Sequence, residues 1–307
     1  MITVLLLAAA VATVPGSKPV NEGRIGAGEG PAWSPKGELF FSGGGNVNRR
    51  SADGKVSVFR SAPNGSNGLL FDPQGRLVAC EPGNRRVTRT EADGSVTVLA
   101  AAYEGKKFNS PNDLTIDSKG RIYFSDPRYG KRDGMELDTE GVYRIDAPGK
   151  VVRVLGREVE RANGVLVSPN DEFLYVADNN NNNAGGARKL WRFKLQADGS
   201  VAAGSRKLIY DWLDGRGPDG VKMDSLGRLF VAGGVNQSNQ YESADKMKGG
   251  VYVLSAAGKL LEFIPIPVDE VTNCNFGGAD LKTLYITAGG TLWSIPLQAP
   301  GRVSWKR

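Results

Sequence analysis

The chain is 307 residues long, 40% hydrophobic and 23% charged, with a formal net charge of +6. This is the profile of a soluble globular protein with ample core. It contains no histidine, which excludes Ser-His-Asp triads, Cys-His pairs and His-ligated zinc, and leaves Asp, Glu, Lys, Tyr and Cys as the available acids and bases. The basic residues are scattered, densest in GNRRVTR around Arg85 and Arg86, with no aromatic-interleaved stripe, so nucleic acid is not an expected partner.

Residues 1–15, MITVLLLAAAVATVP, are apolar and uncharged, with small residues at 10–12. They read as a secretory signal peptide without a basic n-region, an N-terminal anchor being the alternative, ahead of a single domain over 16–307. The run is short for a bilayer span, and no other segment could cross one. The expected location is periplasmic or secreted, where calcium is plentiful.

Beyond this segment, 41 glycines and 16 prolines imply short strands and tight turns, and no segment carries capped helical periodicity. A polar turn followed by β-formers recurs: SPKGELFFSG from Ser34, DPQGRLVACE from Asp72, DSKGRIYFSD from Asp117, SPNDEFLYVAD from Ser168, DSLGRLFVAG from Asp224 and GADLKTLYITAG from Gly278. The turns are 38 to 56 residues apart, about the size of a four-stranded blade. Hairpins with tips at Asp93-Gly94, Gly149, Asp198-Gly199 and Gly258 supply outer strands. The expected fold is all-β, a six-bladed β-propeller, with the strand before Gly30 completing the last blade. Two inserts, NNNNNAGGA from Asn179 and NQSNQYESADKMKGG from Asn236, read as loops overhanging one face.

Five residues before each turn stands an oxygen-bearing side chain: Glu29, Asn67, Asn112, Asn163, Asp219 and Asn273. Asn and Asp are common before strands for turn-making reasons, but six in one register meet near the axis of a radial fold. Two carboxylates among four amides, with no Lys or Arg at that register, would repel one another unless a cation lay between them. Oxygen donors favour a hard ion, and a roomy amide-rich site favours Ca²⁺ over Mg²⁺, with another divalent cation as the alternative. Cys80 and Cys274 have no metal-like spacing and read as two small buried thiols.

The motifs GEGPAW, NGLLFDPQGRLVACEPGNRRVTR, FNSPNDLTIDSKGRIYFSDPRYG, ANGVLVSPND, PDGVKMDSLG and NCNFGG together resemble the gluconolactonase and senescence-marker-protein (regucalcin) family of calcium-dependent propellers. The likeness runs from about residue 25 to 297. It implies a lactonase of carbohydrate metabolism acting on a small-molecule lactone. It also implies metal ligands at Glu29, Asn112, Asn163 and Asp219, with Asn112 reached through water in some members. By the same resemblance Asp219 is the general base and Asn112 a second catalytic group. Asn67 and Asn273 would face substrate, and Glu81, Arg128 and Tyr129 would line the entrance. Where members often read CEHGNRR and DPPYG, this chain reads CEPGNRR and DPRYG, which bears on substrate rather than on metal. The rival readings are an organophosphate hydrolase on the same ion and a propeller that binds calcium or sugar without turnover.

Overall fold

The computed structural model describes residues 11–306, and no helix occurs among them. Six four-stranded antiparallel sheets form the blades. Their first strands are Glu29–Trp33, Leu69–Phe71, Leu114–Ile116, Ala162–Val167, Val221–Met223 and Val271–Gly277. Each of these touches the first strand of the next blade, and the last touches the first, so they form the inner wall of a closed ring. Val20–Ala27 pairs with Gly290–Pro296 as the outer strand of the sixth blade. Both ends of the chain thus share one sheet, as expected, and no blade is left open at the seam.

The recurring turns work by local side-chain chemistry. Asp72, Asp117 and Asp224 each accept two backbone N–H bonds inside the turn and one from the Nε of an arginine four residues on, Arg76, Arg121 or Arg228. Ser34 and Ser168 serve the same backbone with a hydroxyl. An Asp opening DSLG is therefore a turn staple, while the acid five residues earlier is free for other work.

The hairpin expected around Asp198-Gly199 is different from its counterparts. It is closed by one bridge, Leu195 to Val201, and the outer strand of that blade comes later, at Lys207–Asp211. The tip instead leans on the third blade, where Tyr123 Oη donates to Gly199 O at 3.1 Å and Arg144 Nη1 to Asp198 O at 2.9 Å.

Residues 1–10, most of the segment read as a signal peptide, lie outside the described residues. The next few are packed. Ala12 is wholly buried against Phe230, Val253 and Ile264, its N–H donates to Glu262 at 2.6 Å, and Val14 donates to Pro296 O at 3.0 Å. No helix among the described residues is long and apolar enough to cross a membrane. Both cysteines are free and buried.

Candidate functional site: an oxygen-lined hub

The six side chains in register owe their direction to one backbone device. In the second blade Asn67 N donates to Cys80 O while Cys80 N donates to Gly68 O, so two residues face one. The third blade repeats this with Asn112 and Asp113 against Ser125, and the fifth with Asp219 and Gly220 against Ala232. These are β-bulges, which re-aim a side chain where pairing begins. Register also breaks at the start of the inner strand in the other blades, at Glu29/Ala32, Ala162/Val165 and Val271/Asn273.

The residue after the bulge side chain is glycine in four blades, because the next blade lies against it, with its backbone at Gly30, Gly68 and Gly164 and with the Asn273 side chain at Gly220. A Cβ on Gly68 would stand 2.7 Å from Asn112 O, and one on Gly164 2.1 Å from Asp219 O. Gly164→Ala must push the fourth and fifth blades apart, and a drop in melting temperature of roughly 5 °C or more is expected by calorimetry.

The functional oxygens are unevenly satisfied. Asn163 is 3% exposed; its Nδ2 donates to Tyr129 Oη at 2.9 Å, while its Oδ1 is buried and receives no donor. Asn67 Oδ1 is likewise buried and unpartnered. Asp219 is buried, and Arg216 Nη2 stands 3.9 Å from its Oδ2. Glu29 Oε2 accepts from Gly30 N at 2.6 Å and from Asn273 Nδ2 at 3.0 Å. Orphaned carbonyl oxygens beside buried carboxylates are costly unless a cation takes their lone pairs. Among the described residues there is no metal-like group of three or more His, Cys, Asp or Glu, so a cation here would rely on amide oxygens. The donors present fit a hard divalent ion.

Burial, and next the charge of Asp113, push Glu29 up to about 7; burial and then the charge of Glu29 raise Asp219 well above the usual carboxylate range, with Arg216 opposing. A carboxyl group raised on folding holds its proton better folded than unfolded. Its contribution to stability is therefore full below the unfolded value of 4.5 and is lost as pH rises through about 7. Metal-free protein should accordingly melt at lower temperature as pH is raised from about 5 to 8, and a divalent cation should cancel the trend.

No Lys or Arg stands at this register, but two cations reach it from neighbouring positions. Arg216 reaches Asp219, and Lys222 Nζ lies 3.4 Å from both Asp113 Oδ2 and Asn273 Oδ1. Asp113, not singled out in the sequence, is a third carboxylate of the hub, placed where four other blades have glycine.

The entrance residues divide. Tyr129 belongs to the site: its hydroxyl accepts from Asn163 and donates to Asn179 O at 3.2 Å, and Arg161 covers its ring at 5.3 Å. Burial lifts it well above its ordinary value, so it is a hydroxyl donor rather than a base. Glu81, expected to line the entrance or pack at its rim, is a structural acid. It is wholly buried, with its two oxygens bonded to Arg60, Arg86, Thr88 and Asn84. Arg128 donates to the backbone carbonyls of Lys131 at 2.7 Å and Asn109 at 3.0 Å, which fixes its own loop. Asn273 acts on Glu29 and Lys222, positioning them. Both inserts lie near the hub: Asn182 Nδ2 reaches Tyr129 O at 3.2 Å, and Glu242 pairs with Arg216 at 3.4 Å.

Residues 27–290 match the family model described as the SMP-30/gluconolactonase/LRE-like region. A gluconolactonase of Zymomonas mobilis is 28% identical over 288 residues, spanning 85% of this chain and 75% of that protein. A 6-deoxy-6-sulfogluconolactonase of Pseudomonas putida is 30% identical over 271 residues, spanning 85% of this chain and 82% of its own. Among solved structures, a gluconolactonase of Xanthomonas campestris superposes with a TM-score of 0.79 at 32% identity, covering 94% of this chain and 93% of that one.

Proposed function

The chain belongs to the SMP-30/gluconolactonase/LRE-like family, and from that premise we propose that it opens a sugar lactone with the help of a divalent cation, Ca²⁺ by preference, held in the hub. The reaction class is carboxylic ester hydrolysis, shared with the gluconolactonase and sulfogluconolactonase relatives. The observation that carries the cation reading is the buried, donor-free Oδ1 of Asn163 on the same wall as the buried Asp219.

Glu29, Asn112, Asn163 and Asp219 would hold the ion. When bound, it supplies Lewis acidity toward a carbonyl oxygen and neutralises the hub's carboxylates. Asp219 takes a proton from the attacking water, with Arg216 at 3.9 Å favouring its ionised form. The water oxygen bonds to the carbonyl carbon, the ring C–O bond breaks, and the ring oxygen leaves as a hydroxyl that takes the proton back from Asp219, giving the open-chain hydroxy acid. The amide of Asn67 is a donor suited to the hydroxyls and carbonyl of a polyhydroxylated ring, while Tyr129, whose proton goes to Asn179 O, holds the Asn163 amide in place. Asn112, in the next blade, completes that wall.

Proton release on hydrolysis tests the reading with a sugar aldonolactone, an acyl lactone, an aryl ester and an aryl phosphotriester, each with added Ca²⁺. The aldonolactone should turn over fastest. A phosphotriester turned over faster than every lactone would overturn it.

A further inference from the structure

Among the described residues, the ammonium of Lys222 reaches the hub from the inner wall. It stands on Val221–Met223, three residues after Asp219, with its side chain 15% exposed. Val221 and Met223 on either side pack into the core between blades, which turns Lys222 to the channel. Its Nζ is 3.4 Å from Asp113 Oδ2 and 3.4 Å from Asn273 Oδ1. Asn273 Nδ2 in turn donates to Glu29 Oε2 at 3.0 Å. A continuous polar chain therefore runs Asp113, Lys222, Asn273, Glu29 across four blades.

Beyond Lys222 the channel changes character. A cavity of about 410 Å³ lies there, lined by Leu70, Leu166 and the segment Val303 to Trp305. Lys222 lines this cavity as well, so it is the boundary between an oxygen-rich hub and an apolar chamber.

We infer that Lys222 is a positioning residue that fills a second cation position in the channel, neutralising Asp113 so that the hub presents only the two charges of Glu29 and Asp219 to a single divalent ion. The inference rests on the hub binding a cation. Its chemistry is simple bookkeeping of charge. Arg216, the other cation near the hub, is engaged by Glu242 at 3.4 Å and Glu270 at 2.8 Å, closer than its 3.9 Å to Asp219; Glu29, Asp113 and Asp219 together carry three negative charges when ionised, one more than a divalent ion offsets, and the ammonium supplies the difference. A mobile second ion would do the same only at high concentration and would leave Asn273, and through it Glu29, without a fixed partner. A covalently attached cation holds both at every ion concentration.

The test is calorimetric titration of the whole chain with calcium chloride, comparing wild type with Lys222→Met, Asp113→Asn and the double variant. Wild type should bind one ion. Lys222→Met should bind Ca²⁺ about tenfold more tightly, because a nearby positive charge is gone and a carboxylate is freed. Asp113→Asn should weaken binding about tenfold, since the ammonium is then unopposed. The double variant should return to within about threefold of wild type, a compensation that a purely structural role would not produce. Lys222→Arg, which keeps the charge, should stay near wild type and serves if Lys222→Met does not fold. Unaltered affinity in both single variants, or a double variant no nearer wild type than either single, overturns the inference while the hub reading stands. Absence of Ca²⁺ binding by wild type overturns both.

Discussion

Asp219→Asn is expected to lower lactone turnover about a thousandfold at saturating Ca²⁺ while leaving the propeller folded. General-base assistance and charge stabilisation each contribute two to three orders of magnitude in well-placed sites, and a thousandfold corresponds to about 4 kcal/mol of transition-state stabilisation. The fold should survive because the backbone of residue 219, not its side chain, makes the bulge: its N–H donates to Ala232 O at 2.8 Å. The side chain's contact with Arg216 is long, at 3.9 Å. Removing the charge also relieves the repulsion with Glu29 that helps raise Asp219, so the metal-free variant should melt at a higher temperature than metal-free wild type. The fall should be in kcat more than in KM, because the proton is transferred only in the transition state. Full activity in the variant would remove Asp219 as the base, and a lower melting temperature in metal-free buffer would contradict the charge argument.

The hub was legible in the sequence because a bulge at a blade junction needs two things in order: a short side chain with an oxygen, then a residue small enough for the next backbone. The pairs Glu29-Gly30, Asn67-Gly68, Asn163-Gly164 and Asp219-Gly220 spell this out. The third and sixth blades break the second half of the rule with Asp113 and Cys274. That departure was the available signal for Asp113, since a carboxylate where glycine is otherwise required must have a partner. Lys222 was hidden for a different reason. Its strand alternates between the core and the channel, and the channel is neither core nor bulk solvent. Leu70, Leu166 and Lys222 occupy the same kind of position and line the same cavity, so polarity there says little about location.

The entrance was less legible. Glu81 is saturated by Asn84, Arg86 and Thr88 of its own hairpin and by Arg60 from the preceding blade, 21 residues earlier. No local spacing reports such a pairing. Arg128 finds its acceptors within its own loop and at Asn109. An added arginine near a mouth therefore need not face substrate; carbonyls at a loop can absorb its donors. Arg216, by contrast, was overlooked although it stands three residues before Asp219 in RGPDG. It gathers Asp219, Glu242 and Glu270, the last at 2.8 Å. The second insert is thereby tied to the base through one guanidinium, which gives the loop a part in the site that its composition does not announce.

Stripping divalent cations with a chelator should reduce lactone hydrolysis at least a hundredfold, and Ca²⁺ should restore it more fully than Mg²⁺. The size of the loss follows from what remains. Without a cation, burial and Asp113 favour the protonated form of Glu29 up to about pH 7, and burial and the charge of Glu29 raise Asp219 well above the usual carboxylate range, so the base would hold more tightly the proton it is needed to accept. The amides of Asn67 and Asn163 would be left with buried, unpaired oxygens, a state worth about 1–3 kcal/mol for each such group. The preference for Ca²⁺ follows from the donor set. Side chains from separate blades, fixed by bulges rather than by one flexible loop, give a ring with the variable coordination that Ca²⁺ tolerates, whereas Mg²⁺ demands a tight octahedron and gives up its waters reluctantly. The same titration should raise the melting temperature in proportion to the logarithm of free Ca²⁺ above its dissociation constant, a readout independent of any substrate. Turnover unchanged after metal removal verified by elemental analysis would mean that the residues alone carry the hydrolysis, and the hub's unpaired oxygens would then have to be satisfied by water.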